Sequence, residues 1–306
     1  MPAKLAAATE FGTLALLIPS WERSLRAANK SPKTIRAYGD SARMFETFAR
    51  EHFGITAVTG ITRETLETFI EDQLANHRPT TASVRYRSLQ QLFKWLLADG
   101  EITSNPMDRM TAPQIPEIPV PVVSDDDLTK LIKVCEGTSF EHKRDTALLR
   151  LMLDTGVRLA EVAGLAVDDV DFDNDVILVT GKGRRPRMVT FRPKTAAALD
   201  TYRRFRARHG HAKSAALWLG PKGTLTDSGI AQILKRRCAE AGIAKIHPHQ
   251  LRHTAAHVWL SEGGGEGDAM RLFGWKSRAM LDRYGASAAD ERARAASRRM
   301  TLGDRI

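Results

Sequence analysis

Apolar positions recur at helical spacing along the first hundred residues. Side chains three and four positions apart share one face of a helix, so this repeat predicts helices with one buried face. The inward positions fall into four groups: Leu14, Leu17, Trp21 and Leu25; Ile35, Tyr38, Phe45 and Phe48; Leu66, Phe69 and Ile70; and Val84, Leu89, Phe93 and Leu96. Four successive helices of this kind predict a small helical bundle.

Local signals set the ends of these helices. Pro19 is expected to start or to break the first helix, because proline lacks a backbone N–H. Ser31 followed by Pro32 is a favoured N-cap and first-turn pair, so we predict that the second helix begins there. Thr62 is predicted to open the third helix, and the fourth is predicted over about 81–97.

A proline-rich stretch divides the chain. Residues 112–121 read Ala-Pro-Gln-Ile-Pro-Glu-Ile-Pro-Val-Pro, and four prolines in ten residues favour an extended spacer over a helix. We therefore predict a helical domain over residues 1–111, a linker over 112–122 and a second domain over 123–306. A chain of 306 residues is long enough for two such domains.

The second domain is predicted to be mainly helical with a small antiparallel sheet. Ser124-x-x-Asp127 is a capping-box pattern that opens its first helix. Two β-rich runs, 175–180 and 187–191, flank a glycine-containing turn and predict a hairpin. Further helices are predicted over about 143–154, closed by Gly156, and over about 194–209 and 227–241.

Positive charge is concentrated in the second domain. The formal net charge is +10; residues 1–120 hold 14 Lys and Arg against 13 Asp and Glu, and residues 121–306 hold 32 against 23, a net charge of +9. Positive charge on folded helices indicates a long polyanion as partner. Cys135 and Cys238 occupy apolar helical positions far apart and are expected to be reduced core residues. No apolar run is long enough for a membrane span, so we expect a cytoplasmic protein.

Candidate chemistry is concentrated in residues 247–284. His249 and Arg252 are three residues apart, so a helix there places both on one face. A guanidinium fork beside an imidazole suits an anionic oxygen, above all that of a phosphate, although histidines beside arginines are also common in basic helices. Trp275 follows a glycine, and Tyr284, nine residues later, offers an oxygen nucleophile.

Two upstream motifs complete a series. Arg158 follows Thr155-Gly-Val, and Lys182 lies in a Gly-Lys-Gly turn between the two predicted strands. The order Arg158, Lys182, His249-x-x-Arg252, Trp275 and Tyr284 resembles the tyrosine recombinase (phage-integrase) family, of the Xer- or Cre-like kind without a separate arm-binding domain. The resemblance extends from about Leu14 to Met300. It implies a two-domain C-shaped clamp, in which a helical, SAM-like core-binding domain precedes a catalytic domain.

The resemblance implies transesterification at a DNA phosphodiester. Tyr284 is expected to attack phosphorus and form a 3′-phosphotyrosine link, which retains a phosphoester, so neither metal, ATP nor any other cofactor is expected. Arg158 and Arg252 are expected to clamp the non-bridging oxygens. His249 is expected to bind the phosphate and help to take the tyrosine proton, and Lys182 to protonate the leaving 5′-oxygen.

Further residues receive supporting roles from the same resemblance. Glu161 is expected to support Arg158. Trp275 stands where many relatives carry histidine, and its indole N–H is expected to donate to a phosphate oxygen. Side chains on two helices of the first domain and on the helix over 227–241 are expected to contact DNA in the major groove. These are Lys33, Arg36, Arg85, Arg87, Gln232, Lys235 and Arg236.

The implied partner is double-stranded DNA at a specific inverted-repeat core site, in the nucleoid of a prokaryote or on a phage or mobile element. Residues 288–300 form a strong helix-forming stretch with a thin apolar face. A short helix of this kind needs a partner surface. We therefore expect it to dock on a neighbouring protomer, in the cyclic tetramer typical of the family.

Three alternatives from other classes stay open. A type IB topoisomerase uses nearly the same residues to relax DNA, although the helical first domain, the proline linker and the C-terminal helix favour recombination. A catalytically silent DNA-binding module is disfavoured because all the expected catalytic positions are occupied. His247-Pro-His249 also invites comparison with a two-histidine metal nuclease of the relaxase type, but that motif requires further metal ligands.

Overall fold

The structure is a computed structural model that describes residues 12–116, 120–181 and 186–281, together with 293–294 and 297–298. The chain divides into two compact units, Met1–Glu117 and Ile118–Ile306. Each unit buries its own cluster of apolar side chains. Among the described residues, no helix combines the length and apolar character needed to cross a membrane.

Within the described residues 12–116, the first unit is a bundle of four α-helices, as the apolar repeat predicts. They are α1 (Leu14–Ala27), α2 (Pro32–Phe53), α3 (Arg63–Asn76) and α4 (Pro79–Ala98). Phe45 of α2 lies at its centre, with its ring centroid 5.2 Å from that of Phe69 and 6.1 Å from that of Phe93. The hydroxyls of Ser31 and Thr62 accept N–H groups from the first turns of α2 and α3, which confirms both predicted helix starts.

Two expectations for this unit are wrong. Pro19 neither starts nor breaks α1 but lies inside it, where burial of Trp21, stacked on Tyr38 at 5.7 Å, outweighs the lost backbone hydrogen bond. Val84 is 44% exposed rather than inward. The inward face of α4 includes Tyr86, which is two residues, or about 200° of helix rotation, away from Val84.

The second unit is mainly helical with a small antiparallel sheet, which confirms the predicted fold class. Its helices are α5 (Asp125–Lys133), α6 (Phe140–Thr155), α7 (Leu159–Ala163), α8 (Pro193–Arg206), α9 (Asp227–Glu240), α10 (Pro248–Ser261) and α11 (Glu266–Leu272). Its strands are β1 (Val170–Asp171), β2 (Val176–Thr180), β3 (Pro186–Thr190), β4 (Leu219–Gly220) and β5 (Gly223–Thr224). Cys135 and Cys238 are buried free thiols, as predicted.

The predicted hairpin is formed by β2 and β3, and its register orients their side chains. Ile177 lies opposite Val189, and both are buried against the core of the unit. Because side chains alternate across a strand, Arg187 lies on the same inward face as Val189. Strand β1 adds to the other edge of β2; with only two residues, it carries no alternating pattern that the sequence could reveal.

Candidate active site

The backbone between α6 and α7 places Arg158 at the head of a helix. Gly156 ends α6 in the left-handed conformation, with φ of 58°, as predicted. A side chain at this position would also collide with the ring of Phe273, so glycine is needed for both reasons. Arg158 is then the N-cap of α7, and the Glu161 carboxylate accepts its backbone N–H at 2.8 Å.

Glu161 joins two arginines through one buried carboxylate. Its Oε1 accepts Nη1 of Arg158 at 2.9 Å and Nη1 of Arg187 at 2.9 Å, and its Oε2 accepts Nη2 of Arg187 at 2.8 Å. The Glu161 side chain is only 4% exposed. Burial alone would raise its pKa, but the hydrogen bonds from Arg187 and from the Arg158 backbone and side chain overcome this and lower the pKa to about 2. The predicted support of Arg158 by Glu161 thus has a direct contact behind it.

Three arginines converge on the carbonyl groups at the end of α11. Nε of Arg187 donates to the carbonyl of Leu272 at 2.9 Å, and Nη2 of Arg158 donates to that of Gly274 at 3.1 Å. Between them, Nη2 of Arg252 donates to the carbonyl of Phe273. The last carbonyls of a helix carry partial negative charge and lack partners within the helix. Side chains from α7, β3 and α10 therefore fix the turn that leads to Trp275.

Arg158 and Arg252 differ sharply in exposure. The side chain of Arg158 is 37% exposed. Arg252 is 2% exposed, and its Nη1 donates to the carbonyl of Gly156 at 2.7 Å. Its guanidinium carbon also lies 5.6 Å from the centroid of the Phe273 ring. Arg252 is thus enclosed between α6 and the end of α11.

The remaining predicted catalytic residues are distributed as follows. His249 is exposed in the first turn of α10, one turn before the buried Arg252. Trp275 is 5% exposed and stacks on Phe273 with ring centroids 5.0 Å apart. Lys182 and Tyr284 lie outside the described residues. The strands that flank Lys182 pair up to Thr180 and Pro186, which lie opposite each other.

Arg187 is the site residue that sequence reasoning missed. It binds the same carboxylate as Arg158 and the same turn as Arg252, and its side chain is 15% exposed. A signal was present, because an arginine two positions from the inward Val189 of a strand faces the interior and requires a buried partner. In the structure that partner is Glu161, three residues after a helix N-cap.

The residues predicted to contact DNA lie on α2 and α4 of the first unit and on α9 of the second. Lys33 and Arg36 are exposed at the start of α2, and Arg87 is exposed on α4. Arg85 is half-buried, and burial lowers the pKa of its guanidinium, with Asp72 partly offsetting this effect.

On the second unit, Gln232, Lys235 and Arg236 are all exposed on α9. Below them, Asp145 of α6 is fully buried and accepts Nη2 of Arg237 at 2.8 Å. Arg236 also reaches Asp145, at 3.3 Å. This ion-pair network ties α9 to α6 and holds its outer face in a defined orientation.

Residues 121–291 match the phage integrase family, and residues 18–100 match the N-terminal SAM-like domain of phage integrases. The chain is 30% identical over 267 residues to the tyrosine recombinase XerC of Oceanobacillus iheyensis, covering 84% of this chain and 86% of the relative. This chain belongs to the phage integrase family. XerC of Bacillus subtilis is likewise 30% identical over 256 residues, covering 80% of this chain and 83% of the relative.

Solved structures of recombinases share the fold. The Tn1549 transposon integrase in complex with transposon right end DNA gives a TM-score of 0.75 at 18% identity, covering 95% of this chain and all (100%) of that chain. The XerH site-specific recombinase bound to palindromic difH substrate gives 0.72 at 19% identity, covering 89% of this chain and 81% of that chain. With the sequence matches, this phage integrase family member is a tyrosine-type site-specific DNA recombinase. Among the described residues, no three His, Cys, Asp or Glu side chains form a group able to hold a metal ion.

Proposed function

We propose that this recombinase cuts and rejoins double-stranded DNA at an inverted-repeat core site through a 3′-phosphotyrosine at Tyr284. The observation that carries the proposal is the convergence of Arg158 and Arg252 on one turn, with Arg158 held by a buried carboxylate. A fixed pair of guanidinium groups is what a phosphoryl transition state requires, because negative charge grows on the non-bridging oxygens.

The reaction balances without an external co-reactant. The Tyr284 oxygen bonds to phosphorus, the bond from phosphorus to the 5′-oxygen breaks, and the phosphoester is retained as a link to the protein. The tyrosine proton passes to His249, which lies in the first turn of α10, and Lys182 supplies a proton to the leaving 5′-oxygen. Attack by a 5′-hydroxyl of a different strand then reverses these steps and completes the exchange.

Arg158 and Arg252 have carbonyl partners that a phosphate can replace. Each donates through Nη2 to a main-chain oxygen at the end of α11, and a phosphate oxygen is a stronger acceptor for a guanidinium than a neutral carbonyl. We propose that both arginines turn part of their donor capacity to the scissile phosphate. Trp275, packed beside Arg252, is proposed to close this pocket and to donate its indole N–H to the phosphate.

A Tyr284→Phe variant tests the nucleophile. It should bind a core site with unchanged affinity and form no covalent complex, because only the phenolic oxygen is removed. A denaturing gel of the protein with a nicked substrate measures the adduct, with the unmutated protein as control. Adducts formed by the Phe variant at the normal rate would show that another residue attacks phosphorus.

A sulfur-bridged substrate tests Lys182. A thiolate leaves without a proton, whereas an alkoxide does not, so Lys182→Ala should lose about 10²–10⁴-fold in rate on ordinary DNA and recover on DNA with a 5′-bridging sulfur. Arg158→Ala is the matched control and should not recover, because its task is charge on the non-bridging oxygens. Failure of sulfur to rescue Lys182→Ala would move the acid to another residue.

We also propose that the chain works as a cyclic tetramer on DNA in the cytoplasm, with residues 288–300 of each copy docked on a neighbour. A solved lambda integrase tetramer bound to a Holliday junction resembles the fold of this chain, with a TM-score of 0.71 at 15% identity. A two-site DNA substrate separates the functions that share this chemistry. Recombination yields exchanged strands, a topoisomerase yields relaxed circles only, and a silent binding module yields only a shifted band.

A further inference from the structure

We propose that Arg187 is a positioning residue for strand cleavage, which anchors Arg158 and the end of α11 while the other two arginines engage the phosphate. The inference rests on the roles proposed above for Arg158 and Arg252. It assigns a task to a side chain on β3, the strand that begins four residues after Lys182.

The contacts of Arg187 differ in kind from those of its neighbours. It uses all three guanidinium nitrogens: Nη1 and Nη2 form a two-pronged bond to the Glu161 carboxylate, at 2.9 and 2.8 Å, and Nε binds the carbonyl of Leu272 at 2.9 Å. Two-pronged pairing of Arg with a carboxylate fixes direction as well as distance. With 15% of its side chain exposed, Arg187 is largely enclosed.

This difference decides which arginine can move. Arg158 and Arg252 hold the turn after α11 through single bonds to the carbonyls of Gly274 and Phe273. A phosphate that draws these donors away removes two of the three arginine contacts to the turn. Arg187 stays bound to Glu161. Breaking this pair would leave a buried carboxylate without its ionic partner, and that free-energy cost exceeds the gain from a new ion pair at the surface. The Leu272 carbonyl is therefore the contact that persists while the site engages DNA.

Arg187 consequently links three parts of the proposed reaction. Through β3 it fixes one side of the hairpin that carries Lys182. Through Glu161 it fixes the direction of Arg158, and through Leu272 it fixes the turn that precedes Trp275 and, further along the chain, Tyr284. A displacement of about 1 Å in such a group reduces cleavage by about 10²-fold.

The charge of Glu161 provides a readout that packing alone would not change. Among the described residues, the charged groups with the largest effect on this carboxylate are Arg187 from β3 and Arg158 from the start of its own helix. Burial, the largest effect, raises the pKa of Glu161, and the hydrogen bond from Arg187 is the largest effect that lowers it. Without Arg187 the pKa rises, so Glu161 takes up a proton at a higher pH than in the unmutated protein and then loosens its hold on Arg158.

The test uses the full chain, a nicked core-site substrate and single-turnover formation of the covalent complex between about pH 5 and pH 8. Arg187→Met keeps the aliphatic stem but removes the charge, and Arg187→Lys keeps the charge but loses the fork. The matched control is Arg204→Met on α8, where an exposed arginine binds Asp200 and Thr201 of its own helix. DNA affinity is measured in parallel.

We expect Arg187→Met to cleave about 10²-fold more slowly at neutral pH with nearly unchanged DNA affinity. As the pH falls it should also lose rate more steeply than the unmutated protein and the control, which share the same proton acceptor, His249. Adding Glu161→Gln should abolish this additional acid dependence, because the group that causes it is gone. The cleavage rate of Arg187→Lys should lie between those of the unmutated protein and Arg187→Met. This variant keeps the test valid if Arg187→Met folds poorly.

Two results overturn the inference. One is a normal cleavage rate for Arg187→Met. The other is a reduced rate with the same pH profile as the Arg204→Met control, which assigns Arg187 a purely structural role. Failure of the proposed function is separate, because the unmutated protein would then form no adduct that depends on Tyr284.

Discussion

The buried carboxylate of Glu161 gives a quantitative prediction for the substitution Glu161→Gln. Glutamine has nearly the same shape but no charge, and it places an amide NH₂ group against guanidinium groups that can only donate. Two arginines, Arg158 and Arg187, lose their ionic partner. We therefore expect a large loss of stability in the second unit.

The magnitude follows from the pKa of Glu161, which falls from its ordinary 4.5 to about 2. Each pKa unit corresponds to about 1.36 kcal/mol, so the ionised carboxylate contributes about 3 kcal/mol to the free energy of unfolding at neutral pH. Because the Glu161 side chain is only 4% exposed, solvent weakens its interaction with the two arginines only slightly. Removing one partner of a buried ion pair costs about 3–5 kcal/mol, which agrees in size.

The pH dependence has a definite sign. Because the pKa of Glu161 is lower in the folded state, its stabilising contribution is complete above pH 4.5 and is lost as the pH falls from there towards about 2. The difference in unfolding free energy between the unmutated protein and Glu161→Gln should therefore be constant near neutral pH. It should shrink as the pH falls below about 4.5.

Urea unfolding of the full chain, monitored by hydrogen exchange, measures this difference in unfolding free energy. Peptides from residues 120–281 report the second unit separately from the first, which matters because two units need not unfold in one step. Asp200→Asn, which removes an exposed partner of Arg203 and Arg204, is the control and should cost less than about 1 kcal/mol. Two results would refute the assignment of Glu161 as the shared ionic partner of Arg158 and Arg187. One is a loss of unfolding free energy no larger than that of the control, and the other is a loss that is as large in acid as at neutral pH.

Three further predictions concern stability, DNA binding and assembly. Asp145→Asn should cost about 3–5 kcal/mol in urea unfolding, because it leaves Arg144 and Arg237 buried without their carboxylate. The net charge of +9 on residues 121–306 should make DNA affinity fall steeply with salt in a binding titration, and a flat salt series would contradict it. Truncation after Ala286 should spare single-site binding in a gel-shift assay and weaken pairing of two sites; normal recombination by the truncated protein would contradict helix exchange.

Much of the fold is predictable from the sequence because its signals are local. Ser31, Thr62 and Ser124 each accept an N–H from the first turn of a helix, and Gly156 ends α6 with positive φ, as the pattern indicates. These features depend on neighbours within a few residues. Pro19 departs from its local signal because distant packing of α1 against α2 decides the outcome.

The sequence predicts which residues form the candidate site but not which partners their side chains bind. The types and order of Arg158, His249, Arg252 and Trp275 are visible in the sequence. That Arg252 reaches a carbonyl 21 residues away, while Arg187 reaches one 85 residues away, depends on tertiary packing. Separations of this size leave no trace in local spacing, so the strand pattern indicates that Arg187 faces inward but does not identify its partners.

The charge balance of the site favours the transition state over the bound substrate. Arg158 and Arg187 share the carboxylate of Glu161, so these three described side chains together carry one positive charge in excess. A phosphodiester carries one negative charge, and its oxygens gain more as the nucleophile bonds to phosphorus. Catalysis requires interactions that strengthen as that charge develops. A second carboxylate bound to Arg158 would cancel that excess, whereas a single one, shared with Arg187, leaves positive charge for the transition state.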